Sequence, residues 1–150
     1  MTPASLSVVA RRLSFIRETD GPNRGAWVEF LQRFSHGSPG DSWCADFVSL
    51  CIDVAYRGGA PIVRSGSTIA LLNDARAKGF VVPIPQVDDL YFFVNPSGTP
   101  HHVGVVTDIL PLAGIAGNTS ASGASSNGTG VFEHPLAVDP RSVVFVRLPK

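Results

Sequence analysis

One stretch constrains this chain more than any other: Pro39-Gly40-Asp41-Ser42-Trp43-Cys44-Ala45-Asp46-Phe47-Val48-Ser49-Leu50-Cys51. It reads as a loop that turns into a buried helix. Pro39 and Gly40 punctuate the chain, and Asp41 or Ser42 is a suitable N-cap. Phe47, Leu50, Cys51, Val54 and Ala55 then recur at helical spacing and form one apolar face. Cys44 falls in the first turn, where exposed backbone N–H groups and the helix dipole favour a negative charge. A thiol there is expected to have a lowered pKa and more thiolate character. Free cysteines are also small core residues, and from this stretch alone both readings stand.

The remainder of the chain predicts helices first and strands afterwards. Residues 4–18 carry a fair helical period through Leu6, Val9, Ala10 and Leu13. A dense turn cluster, Thr19 to Gly25, precedes a second helix over 26–34, with Trp27, Phe30, Leu31 and Phe34 expected on one face. The Cys44 helix should stop near Arg57, before Gly58-Gly59-Ala60-Pro61. A fourth helix is expected over 67–78, capped by Ser67 and closed by Gly79. Leu90–Val94 and His102–Ile109 have strand composition and flank a Pro/Gly turn, so they predict a hairpin. Leu112–Gly117 and 143–147 are further strand candidates, and the Ser/Gly-rich stretch from Gly117 to Gly130 reads as a long loop or irregular hairpin. This order indicates an α+β fold in one domain over 1–150, with 1–20 as an N-terminal helical extension.

Several function classes recede on composition. Lys plus Arg and Asp plus Glu both number 12, so the formal net charge of zero speaks against a nucleic acid or an anionic membrane as a charge-held partner. No apolar run is long enough to span a bilayer, and Arg11 and Arg12 interrupt the N-terminal apolar residues where a signal peptide would need them. The expectation is a protein made in the cytoplasm. The two cysteines, Cys44 and Cys51, would lie roughly 10 Å apart on one helix, beyond the ~7 Å that a disulfide spans, so they are expected to be unpaired with each other.

A cysteine nucleophile needs a base and a group that orients the base. Of the four histidines, His102 is best placed: it opens a strand, and Gly104 on the same face leaves room beside it. His101 should point to the other face. Asn118, at the end of the next strand, carries an amide oxygen able to accept an imidazole N–H and fix its tautomer. Each residue has a plainer reading as well: a polar strand start for His101 and His102, a turn residue for Asn118. Asp46 reads as a favourable charge at the helix start. A metal site drawn from Cys44, His101, His102 and His134 lacks the spacing of zinc ligands, and no G-x-S-x-G supports a serine hydrolase.

Together Gly40–Val48, Val87–Phe93, His102–Val106 and Gly117–Ser120 resemble the motif segments of CHAP domains, the cysteine, histidine-dependent amidohydrolase/peptidase group. The segment Gly21–Val28 is similar to the part of phage and bacterial members that precedes the nucleophile. Asp88 stands where that family usually has Gly, and Ser42 where Pro is common. The resemblance implies a papain-like α+β fold, with the nucleophile helix packed on a C-terminal antiparallel sheet. It implies a Cys44–His102–Asn118 triad that cleaves amide bonds of bacterial peptidoglycan, as an amidase or endopeptidase of phage-lysin type. Such a protein needs no cofactor or metal, would act as a monomer, and would meet the cell wall after release or delivery. No carboxylate cluster suited to calcium stands out in the sequence. The alternatives are an acyltransferase or deamidase on a non-wall substrate, or a catalytically silent wall-binding module.

Overall fold

The computed structural model describes residues 2–122, 128–136, 139 and 141–150. Among these residues four helices precede a six-stranded sheet: α1 (Leu6–Arg12), α2 (Ala26–Phe34), α3 (Cys44–Ala55), α4 (Thr68–Ala77), β1 (Val81–Val82), β2 (Leu90–Val94), β3 (Pro100–Ile109), β4 (Leu112–Thr119), β5 (Gly130–Pro135) and β6 (Val143–Val146). The strands lie in the order β1-β6-β2-β3-β4-β5, and every neighbouring pair is antiparallel. The fold is therefore α+β, as the order of elements in the sequence indicates.

Period-2 alternation in the strands gives the sheet two unlike faces. Leu90, Phe92, Val103, Val105, Ile115 and Val146 join the helices in one buried core, centred on Phe47, Val48, Cys51 and Ile52 of α3. Tyr91, Val106, Ala116, Leu136, Val143 and Phe145 form a second, smaller cluster on the other face. α3 is buried along nearly its whole length, because it packs on β3 and β4 on one side and on α1 and α2 on the other.

Four sequence expectations need correction. The first helix ends at Arg12, well short of residue 18. Beyond it, Ile16 accepts the Val131 N–H and Glu18 donates to Thr129 O, so this segment pairs with the β5 side of the sheet and tertiary pairing overrides helical periodicity. Leu6, Val9, Ala10 and Ile16 belong to the main core, so 1–20 is no separate extension. α2 buries Val28, Leu31 and Gln32, while Trp27 and Phe30 stay more than 40 % exposed (44 % and 43 %). Neither Asp41 nor Ser42 caps α3: its cap position is Trp43, with no side-chain cap, and the Asp41 carboxylate accepts the Ser38 N–H. Strands β1 and β5 have no counterpart in the sequence reading. The ends of the Ser/Gly-rich stretch do close as an irregular hairpin, Gly128 N donating to Asn118 O and Thr129 N to Thr119 O; residues 123–127 lie outside the described residues.

The helix expected over 67–78 forms as α4, with Ser67 Oγ accepting the Ala70 N–H and Gly79 at φ 74° beyond its end. Asp88 has φ 77°, left-handed backbone that favours glycine. Its carboxylate compensates for that strain: it accepts the Ser5 hydroxyl at 2.9 Å and the Ser7 N–H at 2.8 Å, and so ties the start of α1 to the strand. Neighbouring Asp89 is buried and makes a two-point ion pair with Arg147, at 2.9 and 2.7 Å, which fixes the C-terminal segment to β2.

Candidate active site

The loop that delivers Cys44 is held from two sides. The buried Gln32 amide donates to Asn23 O at 3.0 Å and to Asp41 O at 2.8 Å. The indole N–H of Trp43, fully buried, donates to Glu18 Oε2 at 2.9 Å. Trp43 and Phe47 then pack over Gly117 of β4, where a Cβ would stand 2.7 Å from the Trp43 ring. Only a glycine admits that approach, and it sets the start of α3 against the residue preceding Asn118.

Cys44 meets β3 at its backbone. The sulfur takes hydrogen bonds from the N–H groups of Val103 and Ala45, and Val103 directly follows His102. His102 itself points to the face away from the helices. Its imidazole stacks on Phe93 at 5.7 Å and 21° and lies 6.2 Å from the Tyr91 ring. His101 is exposed and His102 buried, the division expected for successive strand residues. The β3–β4 register pairs Val105 with Ile115. That pair is the end of the β3–β4 ladder; beyond it β4 leaves regular register between Ala116 and Thr119, the stretch that holds Asn118. Cys44 thus meets the β3 backbone next to His102, and the start of α3 packs on Gly117, next to Asn118.

The hydrogen bonds of a closed triad are not made. His102 Nδ1 and both amide atoms of Asn118 are buried without partners. Asn118 has φ 56°, so its side chain leaves the strand in a different direction from a regular β residue. It is fully buried within β4 and is no surface turn residue.

Burial also reverses the expected thiol chemistry. The Cys44 thiol is 4 % exposed, and desolvation pushes it up to about 11, against the lowering effect of the Val103 and Ala45 N–H groups. The helix dipole does not make it acidic. Desolvation, with help from His134 and then His101, drives His102 down to about 3. Thiol and imidazole are therefore both neutral in the free protein at neutral pH. Asp46 is not a solvated charge at the helix start either. It is 1 % exposed, its Oδ1 has no partner, and burial lifts its carboxyl to about 7. Cys51 is a second free thiol, buried in the middle of α3, with its pKa raised by desolvation.

Two features escaped the sequence reading. The room that Gly104 leaves is occupied: a Cβ there would stand 2.4 Å from the Tyr91 hydroxyl. His134, opposite Gly114 on β5, bonds Pro135 O through Nδ1 and leaves Nε2 buried and unpaired. The signal for the first lay in the strand pattern, where a large residue and facing glycines alternate on one face. The second had none, because β5 itself was not foreseen. Among the described residues, no three His, Cys, Asp or Glu side chains gather into a group able to hold a metal ion. Among the described residues no helix is long and apolar enough to cross a membrane.

Compared with family models, curated proteins and solved structures, the chain matches none.

Proposed function

We propose that this chain is a papain-like cysteine hydrolase of the CHAP kind, cleaving amide bonds in bacterial peptidoglycan. The observation that supports the reading is the hydrogen bond to the Cys44 sulfur from the Val103 N–H, the residue next to His102, with the start of α3 packed on Gly117 beside Asn118. The resemblance of these three segments to CHAP motifs supplies the substrate.

In this reading Cys44 adds to the amide carbonyl while its proton passes to the His102 imidazole. Because both groups rest neutral, the transfer accompanies the attack rather than preceding it. The carbonyl oxygen becomes an oxyanion, and backbone N–H groups at the start of α3 stabilise it. The C–N bond then breaks, the leaving amine takes the proton from His102, and a thioester remains on Cys44. Water, deprotonated by His102, attacks the thioester; the carboxyl product departs and the thiol regains its proton.

The test is digestion of purified peptidoglycan by wild type and Cys44→Ala, with soluble fragments read by mass spectrometry. Wild type should release fragments whose masses name the bond. Cys44→Ala should lose at least about a thousandfold in rate, while Cys51→Ala, two turns further along α3, keeps activity. The buried thiol and the unpartnered polar atoms of His102 and Asn118 favour a second reading, a silent wall-binding module. Folded wild type that binds walls of several chemotypes and releases nothing would establish that reading instead.

A further inference from the structure

We infer that the exposed aromatic row on α2 is a binding platform for the glycan strand of peptidoglycan, a chain of N-acetylated amino sugars with an acid group on alternate sugars, free or carried out along the stem peptide. The identity of the polymer rests on the hydrolase reading; the kind of ligand, sugar rings that carry acid groups, does not.

Phe15, Trp27 and Phe30 are half-exposed, and they form one row. Phe15 meets Trp27 edge to face at 5.1 Å, Trp27 meets Phe30 edge to face at 5.7 Å, and Phe30 stacks toward Phe34 at 6.4 Å. The Arg64 guanidinium lies over the Phe34 ring at 4.4 Å and ends the row. Trp27 and Phe30 stand between two hollows. One, of about 360 Å³, has an apolar floor of Val9, Leu13, Leu50 and Val54, with Arg12 as its charged lining residue. The other, of about 270 Å³, opens over Ala26. A contiguous exposed apolar surface of this kind marks a binding site.

The charges around it specify the occupant. Arg11, Arg24, Lys78, Arg141 and Arg147 each pair with a carboxylate, whereas Arg12, Arg33 and Arg64 pair with none among the described residues. Arg33 follows Phe30 by three residues on α2 and so neighbours it on the helix surface. Glu29, the one carboxylate of α2, is held by Arg24 and by the Gly25 N–H. The rim is therefore cationic and the floor apolar, and the complementary ligand is anionic yet offers apolar faces. An amino-sugar strand does both. Its pyranose C–H faces stack on the electron-rich faces of aromatic rings, its acetamido methyl groups suit the apolar hollows, and its acid groups meet the arginines. The rings follow one another at about the repeat of successive sugars. A partner helix would need a groove several turns long, whereas these hollows fall at the small end of small-ligand sites. α2 also holds the Cys44 loop through Gln32, so a strand seated on the row is anchored on the helix that positions that loop.

The test is binding of purified glycan strands, freed of stem peptide by an amidase so that their lactyl carboxylates are bare, to wild type, Trp27→Ala, Phe30→Ala and Arg12→Gln. All three side chains are exposed, so the variants should fold. Trp43 is fully buried, so acrylamide quenching of tryptophan fluorescence reads Trp27. If the inference holds, strands shield Trp27 from the quencher, and each aromatic truncation raises Kd about tenfold. Arg12→Gln raises it severalfold and flattens its salt dependence. A neutral chitin oligomer, which lacks the carboxylates, binds more weakly. Strands that bind wild type and both aromatic variants equally, or bind none of them, would overturn it. So would a wild-type dimer that Trp27→Ala dissolves and strands do not, since the row would then be a contact between copies. Wild type that binds strands through the row but digests no wall refutes the hydrolase reading and leaves the platform standing; wild type that digests walls and ignores free strands refutes the platform alone.

Discussion

Toward the helices, β2 and β3 present Leu90, Phe92, Val94, Val103 and Val105, all buried and all apolar. Toward the other side the same two strands present Tyr91, Phe93, His102 and Gly104, of which Tyr91 and His102 are equally buried but leave polar atoms unpaired. The backbone of the two faces is shared, so the difference lies in side chains alone. An apolar face gains by burying area, at roughly 25 cal/mol per Å². A face of partnerless imidazole and phenol groups gives up part of that gain through desolvation. Such a pattern is what a site demands and a core avoids. The helix side stabilises the domain, and the opposite side bears the candidate chemistry, with Cys44 joining the two where α3 meets the start of β3.

The largest expected effect tests that division directly. Phe92→Ala, on the helix side and fully buried, should cost about 3–5 kcal/mol in urea unfolding. Phe93→Ala, half-buried on the other side, should cost about 1–2 kcal/mol while disturbing the imidazole that stacks on it. Equal losses of stability would break the comparison, since the second face would then be core in the same sense as the first.

The division is partly legible in the sequence. Alternation in Leu90–Val94 and in His102–Ile109 located both strands and put His102 and His101 on opposite sides. Helical period and glycine stops located α2, α3 and α4 to within two or three residues. What failed were the quantities that depend on neighbours distant in sequence. Position at a helix start suggested an acidic Cys44 and a solvated Asp46; the packing of Trp43 and Phe47 over Gly117 and the approach of Gly66 to Asp46 bury both. Trp27 and Phe30 looked like core because they share a helical stripe with Leu31, yet the core meets α2 one stripe over, at Val28 and Gln32. Gly104 reads as open space in its own strand, because the signal that Tyr91 fills it lies in a different strand, β2, and only the pairing of the two strands joins them.

Asp46 is the helix side's own exception, and it sharpens the comparison through pH. Its folded pKa, about 7, lies above the ordinary value of 3.8. The folded state therefore holds a proton that the unfolded state has lost. The resulting stability is fully present below about 3.8 and is lost as pH rises toward 7. Asp46→Asn removes that dependence. Relative to wild type the variant should gain about 3–4 kcal/mol between pH 4 and pH 8, read from denaturant midpoints at both. A difference independent of pH would mean that Asp46 is ionised in the folded protein and paired after all.

His102 should respond with the opposite sign and a smaller amplitude over the accessible range. Its folded pKa, about 3, lies below the ordinary 6.5. Between those values the unfolded chain takes up the proton that the folded chain refuses. Stability is thus present above about 6.5 and is lost as pH falls toward 3. At pH 5 the loss for this group is about 2 kcal/mol. His102→Gln cannot titrate, so the gap between wild type and variant should narrow by that amount from pH 7.5 to pH 5, the other titrating groups cancelling in the difference. A gap that stays constant would require His102 to accept its proton inside the folded domain. The imidazole would then have a partner or a route to solvent on that face, and two faces equally closed to water would give way to one dry face and one that admits water.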